Sequence, residues 1–149
     1  MTKIRTEFAN VDIDLKSIRD PEPFLGALGS RVLWQRLGKV GRAHWVRLML
    51  SRQPTSPADA ILSFAKLVTK LPPAARAVWD TAVRREFDIG IETGVEPNVA
   101  EWVLEPKVMK AATELGAQLR ITVYAPNLPI VTQAATKRQS RVRSRSKRR

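Results

Sequence analysis

From Phe8 to Lys16 apolar and polar residues alternate, with Ala9, Val11, Ile13 and Leu15 on one side and Asn10, Asp12, Asp14 and Lys16 on the other. A period of two predicts a strand with one face in the core and the other in water. The pattern returns from Arg85 to Glu92, where Phe87, Ile89 and Ile91 oppose Glu86, Asp88, Gly90 and Glu92. It returns once more from Leu119 to Tyr124, with Leu119, Ile121 and Val123 inward and Arg120, Thr122 and Tyr124 outward. Arg31 to Leu37 and Ala43 to Leu50 read as two further strands around Gly38-Lys39-Val40-Gly41, a link of hairpin length that makes them antiparallel neighbours.

Between these strands the spacing turns helical. Ser56-Pro57-Ala58-Asp59 supplies a cap, a proline at the first helical position and an acid at the third, ahead of Ile61, Phe64, Ala65, Val68 and Leu71. Pro72-Pro73 ends that helix and opens another through Ala74, Ala75, Val78, Trp79 and Ala82, since proline is tolerated in a first turn and not in an interior. Phe24, Leu25 and Leu28 before Gly29 predict a short helix, and Pro106 opens a last one through Val108, Met109, Ala112 and Leu115 to Gly116. Trp102 to Leu104 reads either as a short strand or as loop.

The order of elements is strand, helix, strand, strand, helix pair, strand, helix, strand. Its first six match the ferredoxin-like split βαβ arrangement, with one αβ unit added. The expected fold is α+β: a mainly antiparallel five-stranded sheet, its first strand between the third and fourth, with helices packed on one face and the other face open. Pro126 and Pro129 mark the end of the body, giving one domain over residues 1–126 and a disordered basic tail over 127–149.

Charge changes the picture only once it is divided along the chain. The net value of +12 suggests nucleic acid, but Lys137, Arg138, Arg141, Arg143, Arg145, Lys147, Arg148 and Arg149 supply eight cations with no acid among them. The rest holds 18 cations against 14 acids, a net of +4. No apolar run is long enough for a membrane helix or a secretory leader, so the expectation is a cytoplasmic protein without membrane contact. The absence of cysteine and the single histidine exclude thiolate chemistry and most zinc sites, and no cofactor or metal is expected.

Candidate chemistry gathers on the polar side of the strands. If the Phe8 and Arg85 strands are neighbours, Asp12 and Asp14 stand with Glu86, Asp88 and Glu92, as an acidic recognition surface or simply as the polar side of an open sheet. Trp45, Arg47 and Met49 share one side of their strand. They are interface residues if that side is open and core filling if it is not. His44 is in phase with Val46, Leu48 and Leu50, which favours a structural role. Gly90, mid-strand and outward, marks a bulge or a close backbone approach. There is no nucleophile elbow, Walker loop or dinucleotide fingerprint, and carboxylates on a wet face keep ordinary pKa values and exclude little water, so no catalytic residue is assigned.

The runs Phe8 to Leu15, Leu71 to Asp80, Phe87 to Ile91 and Leu115 to Tyr124 resemble a domain-of-unknown-function family of small bacterial α+β proteins, over roughly residues 8–126. The resemblance implies an α+β fold and brings no activity, cofactor or catalytic residue; the basic tail lies outside it. The expectation is a non-enzymatic module that binds another protein through Asp12, Asp14, Arg47, Glu86, Asp88 and Glu92, and charge reversal on that face is expected to leave stability nearly unchanged. The alternative is a protein that binds nucleic acid non-specifically through the eight tail cations.

Overall fold

The computed structural model describes residues 5–126. The expected tail and its eight cations lie outside the described residues. In chain order the elements are β1 (Glu7–Ser17), α1 (Glu22–Leu28), a single 3₁₀ turn (Gly29–Arg31), β2 (Val32–Val40), β3 (Ala43–Leu50), α2 (Pro57–Thr69), α3 (Pro73–Asp80), β4 (Arg84–Glu92), α4 (Pro106–Glu114) and β5 (Gln118–Tyr124).

The sheet runs β2-β3-β1-β4-β5. Its first three pairings are antiparallel, and β5 lies parallel to β4. This is the split βαβ order expected from the elements, with β1 between β3 and β4. The parallel strand follows from the added αβ unit, because a helical crossover returns the chain in the direction it came from. Trp102 to Leu104 does not form a strand; Trp102 and Leu104 pack against the core from the loop before α4.

The four helices of the described residues cover the face of the sheet that carries Val11, Ile13, Leu15, Val46, Leu48, Phe87, Ile89 and Ile91. Aromatic rings fill the space between the layers. Trp79 of α3 stacks on Phe24 at 5.8 Å between ring centroids and meets Phe64 at 5.5 Å, while Phe64 meets Phe87 edge-on at 5.8 Å. The buried Trp79 Nε1 donates to the Leu115 carbonyl at 3.0 Å, so the largest core side chain also satisfies the C-terminal end of α4.

Local chemistry sets the boundaries. Ser56 caps α2 as expected, its hydroxyl accepting from the Asp59 amide at 3.0 Å. The expected four-residue link after β2 contracts to a two-residue turn at Gly41 and Arg42, in which Gly41 supplies the positive φ of 61°. β2 therefore reaches Val40, and Gly38, with φ of 99°, sits instead in a bulge where the β2–β3 register slips. None of the helices in the described residues is long and apolar enough to cross a membrane.

Candidate functional site

Among the described residues no helix covers the second face of the sheet, and strand pairing decides what meets there. β1 opposes β4 with Asp12 across from Asp88 and Asp14 across from Glu86; on its other side Asp14 faces Arg47 and Lys16 faces Trp45 of β3. The parallel register of β5 sets Arg120 beside Asp88 and Thr122 beside Gly90. The phase of β3 is thereby fixed. Val46, Leu48 and Leu50 are in the core, and Trp45, Arg47 and Met49 are on the open face, half-buried. His44, in phase with Val46, is on the opposite side of the sheet from the carboxylates and forms no dyad with them.

The acids are not the solvated groups that alternation suggests. Asp14 is 3% exposed, Glu86 2% and Asp88 8%, although among the described residues no second layer of backbone lies over them. They are covered by cations, Arg47 and Arg120 from neighbouring strands and Arg84 from β4 itself. Arg47 donates to both oxygens of Asp14, Nε to Oδ1 at 2.8 Å and Nη2 to Oδ2 at 2.9 Å, and lies 4.0 Å from Asp12. Arg84 donates to Glu86 Oε2 from Nη2 at 2.6 Å, and Arg120 Nη2 lies 2.8 Å from the other oxygen of Glu86. Asp88 is held by the Thr122 hydroxyl at 2.6 Å, with Arg120 at 3.8 Å.

These contacts correct the picture of an acidic surface. With Lys16 included, four cations stand among Asp12, Asp14, Glu86 and Asp88, and the centre of the face is neutral. Charge reversal at Asp14, Glu86 or Asp88 would place a buried cation beside the arginines that these acids now hold, so the expectation that such changes spare stability does not hold there. Glu92 stands apart. It is exposed at the far end of β4 opposite Glu7, four residues or about 13 Å along the strand from Asp88.

Electrostatics sort the two aspartates of β1. Asp12 is pushed above the ordinary carboxylate range, first by burial and then by Asp14 and Asp88, with Arg47 only partly opposing the shift. The Arg47 guanidinium is held still more firmly in its charged form by its hydrogen bonds to Asp14. Asp12 thus meets its guanidinium only at 4.0 Å, whereas Asp14 holds the same group by two hydrogen bonds. Asp12 borders a shallow open depression of about 300 Å³ whose other walls include Leu33, Gln35, Arg47 and Met49.

No protein family, curated protein or solved structure matches this chain. The roles of these residues rest on their own geometry. Among the described residues no group of three or more potential ligands is placed to hold a metal ion.

Sequence reasoning missed the part played by Leu33, Arg84 and Arg120. Arg84 carried a signal, being two residues from Glu86 and so in phase with it. Arg120 could be set outward but not beside its acids, because only the parallel pairing of β5 brings it there. Gly90 is explained within the fold: β1 bulges opposite it at Ala9, and a Cβ on Gly90 would lie 3.5 Å from the Tyr124 ring and 3.4 Å from the Asn10 carbonyl oxygen.

Proposed function

We propose that the chain is a non-enzymatic protein-binding module and that the open sheet face is its binding surface. The observation that carries this reading is an uncovered face on which fixed arginines stand beside exposed apolar side chains. Leu33, 57% exposed, and the half-buried Met49 border the depression on one side; Tyr124, 50% exposed, stands at the other end of the face. Trp45 lies toward the opposite end of the face from Tyr124, in register with Lys16, with Lys16 Nζ 4.7 Å and Arg47 Cζ 5.9 Å from its ring centroid. Arginine and aromatic residues dominate the energetics of protein interfaces, and arginines already immobilised by carboxylates lose little further freedom on binding.

The same contacts argue against catalysis. A general base needs a free carboxylate or imidazole in a site that excludes water, whereas Asp14 and Glu86 are bound to guanidinium groups, His44 is on the other side of the sheet and Asp12 borders an open depression. They also argue against nucleic acid on this face, since its arginines are already paired with carboxylates and its neutral centre offers phosphates no net attraction.

The test uses substitutions outside the ion-pair network. Leu33→Asp and Tyr124→Ala, made in the full chain, should each abolish co-purification of the partner from a native lysate of the source organism with the thermal midpoint unchanged. Undiminished capture by both variants would refute the reading. A second reading, non-specific nucleic-acid binding through Lys137, Arg138, Arg141, Arg143, Arg145, Lys147, Arg148 and Arg149, is favoured by the eight cations without an acid in residues 137–149.

A further inference from the structure

The two edges of the sheet are built differently. β2 is blunted: its register with β3 slips at the Gly38 bulge, and Arg36 and Lys39 stand exposed along it. Bulges and cations at an edge are the usual means of preventing another strand from adding there. β5 has no bulge, and its single cation, Arg120, is paired with acids of β4. It pairs with β4 without a break from Gln118 to Tyr124 and contains no proline, glycine, lysine or acid. Among the described residues its outer side has no strand partner, so alternate N–H and C=O groups face outward.

The side chains of β5 are as unusual as its backbone. On the helix side Leu119 packs against the core, but Ile121 is 66% and Val123 61% exposed. Two β-branched side chains on an open edge present apolar surface where a protected edge would carry charge.

We propose that β5 is a self-pairing edge through which two copies of this chain join antiparallel into one continuous sheet. The occupant follows from the symmetry of the strand. Ile121 is the central residue of the seven in β5. A two-fold axis there sets Ile121 against its own copy and Leu119 against Val123 of the second copy, forming an apolar row on the helix side. On the open side it sets Gln118 against Tyr124 and Arg120 against Thr122. No like charges are directly opposed. Arg120 is already drawn back over β4 by Glu86 and Asp88, which removes the one cation that would otherwise guard this edge. A strand that is its own complement in size and charge fits a second copy, and a two-fold pairing closes after two chains.

Sedimentation of the full chain tests this. The wild type is expected to be dimeric in the micromolar range, and Ile121→Lys, which sets two ammonium groups against each other on the axis, is expected to weaken the dimer at least roughly tenfold. Because the side chain is exposed, the variant should keep the wild-type circular dichroism and, at concentrations too low for the dimer to form, the wild-type thermal midpoint. Val123→Lys, off the axis and opposite Leu119, gives the same readout should Ile121→Lys misfold. A wild type that stays monomeric at about 100 μM overturns the proposal, as it would if the edge were filled by another segment of the same chain or by an unrelated peptide. A dimer equally tight in both lysine variants places the interface elsewhere and also overturns it.

Discussion

Asp59 shows how much one side chain at a helix start can hold. Its carboxylate accepts from Arg52 Nη1 and Nη2 at 2.8 and 3.0 Å and from the Thr55 amide at 2.9 Å, while its own amide is capped by Ser56. Hydrogen bonds from Arg52, then that from Thr55, hold the carboxyl well below its ordinary pKa of 3.8. A carboxyl whose pKa falls on folding contributes stability that is present above the unfolded value and lost as pH falls toward the folded one. The stability gap between the wild type and Asp59→Asn should therefore be widest near neutral pH and close on acidification below about pH 4. Denaturant melts at a series of pH values check this, and a gap that widens in acid would contradict it. Ser56→Ala, which removes only the cap, should cost about 1 kcal/mol at neutral pH. In the core, Trp79→Phe strands the Leu115 carbonyl and leaves a void; a loss of about 2–3 kcal/mol is expected from the same melts.

Between strands the decisive quantity is register, and it is here that the sequence stops being legible. Alternation was enough to put Asp12, Asp14, Glu86 and Asp88 on one face, because in-versus-out is a property of each strand alone. It could not phase β3, where apolar residues occupy both sides, nor find that Arg120 falls beside Asp88 and Glu86, because partners across a sheet are fixed by pairing that no single strand encodes. That gap separates an acidic face from a neutral one. The arginine contacts predict unequal costs: Arg47→Met leaves the buried Asp14 without its bidentate donor and should cost about 2–3 kcal/mol, less than a fully buried pair because Arg47 is partly exposed. Asp12→Asn, removing a carboxyl that burial disfavours in its charged form, should lie within about 0.5 kcal/mol of the wild type. Thermal melts that rank the two the other way round would show that Asp12, not Asp14, anchors the guanidinium. Gly90 is a milder case. Gly90→Ala fits at ordinary contact distance and should not destabilise, whereas Gly90→Val must displace the Tyr124 ring, visible as a change in tyrosine fluorescence or ring chemical shifts.

Over the whole molecule, charge is divided between a body that neutralises itself and a short run that does not. Outside residues 137–149 the chain has 18 cations and 14 acids, and on the open face Arg47, Arg84 and Arg120 are paired with Asp14, Glu86 and Asp88, so the centre of that face has little free charge to attract a polyanion. Residues 137–149 contain eight cations and no acid to pair with them. If those cations bind duplex DNA by displacing counterions, the logarithm of affinity should fall linearly with the logarithm of salt, with a slope no steeper than about −7 for eight phosphate contacts. A chain ending at residue 136 should lose the binding and its salt dependence together, while its thermal midpoint and its capture of a protein partner through Leu33 and Tyr124 stay as they are. Fluorescence anisotropy with a labelled duplex at several salt concentrations separates the possibilities. Binding that survives the truncation would have to come from the body, and the neutral carboxylate–guanidinium lattice on its open sheet face gives phosphates no reason to settle there.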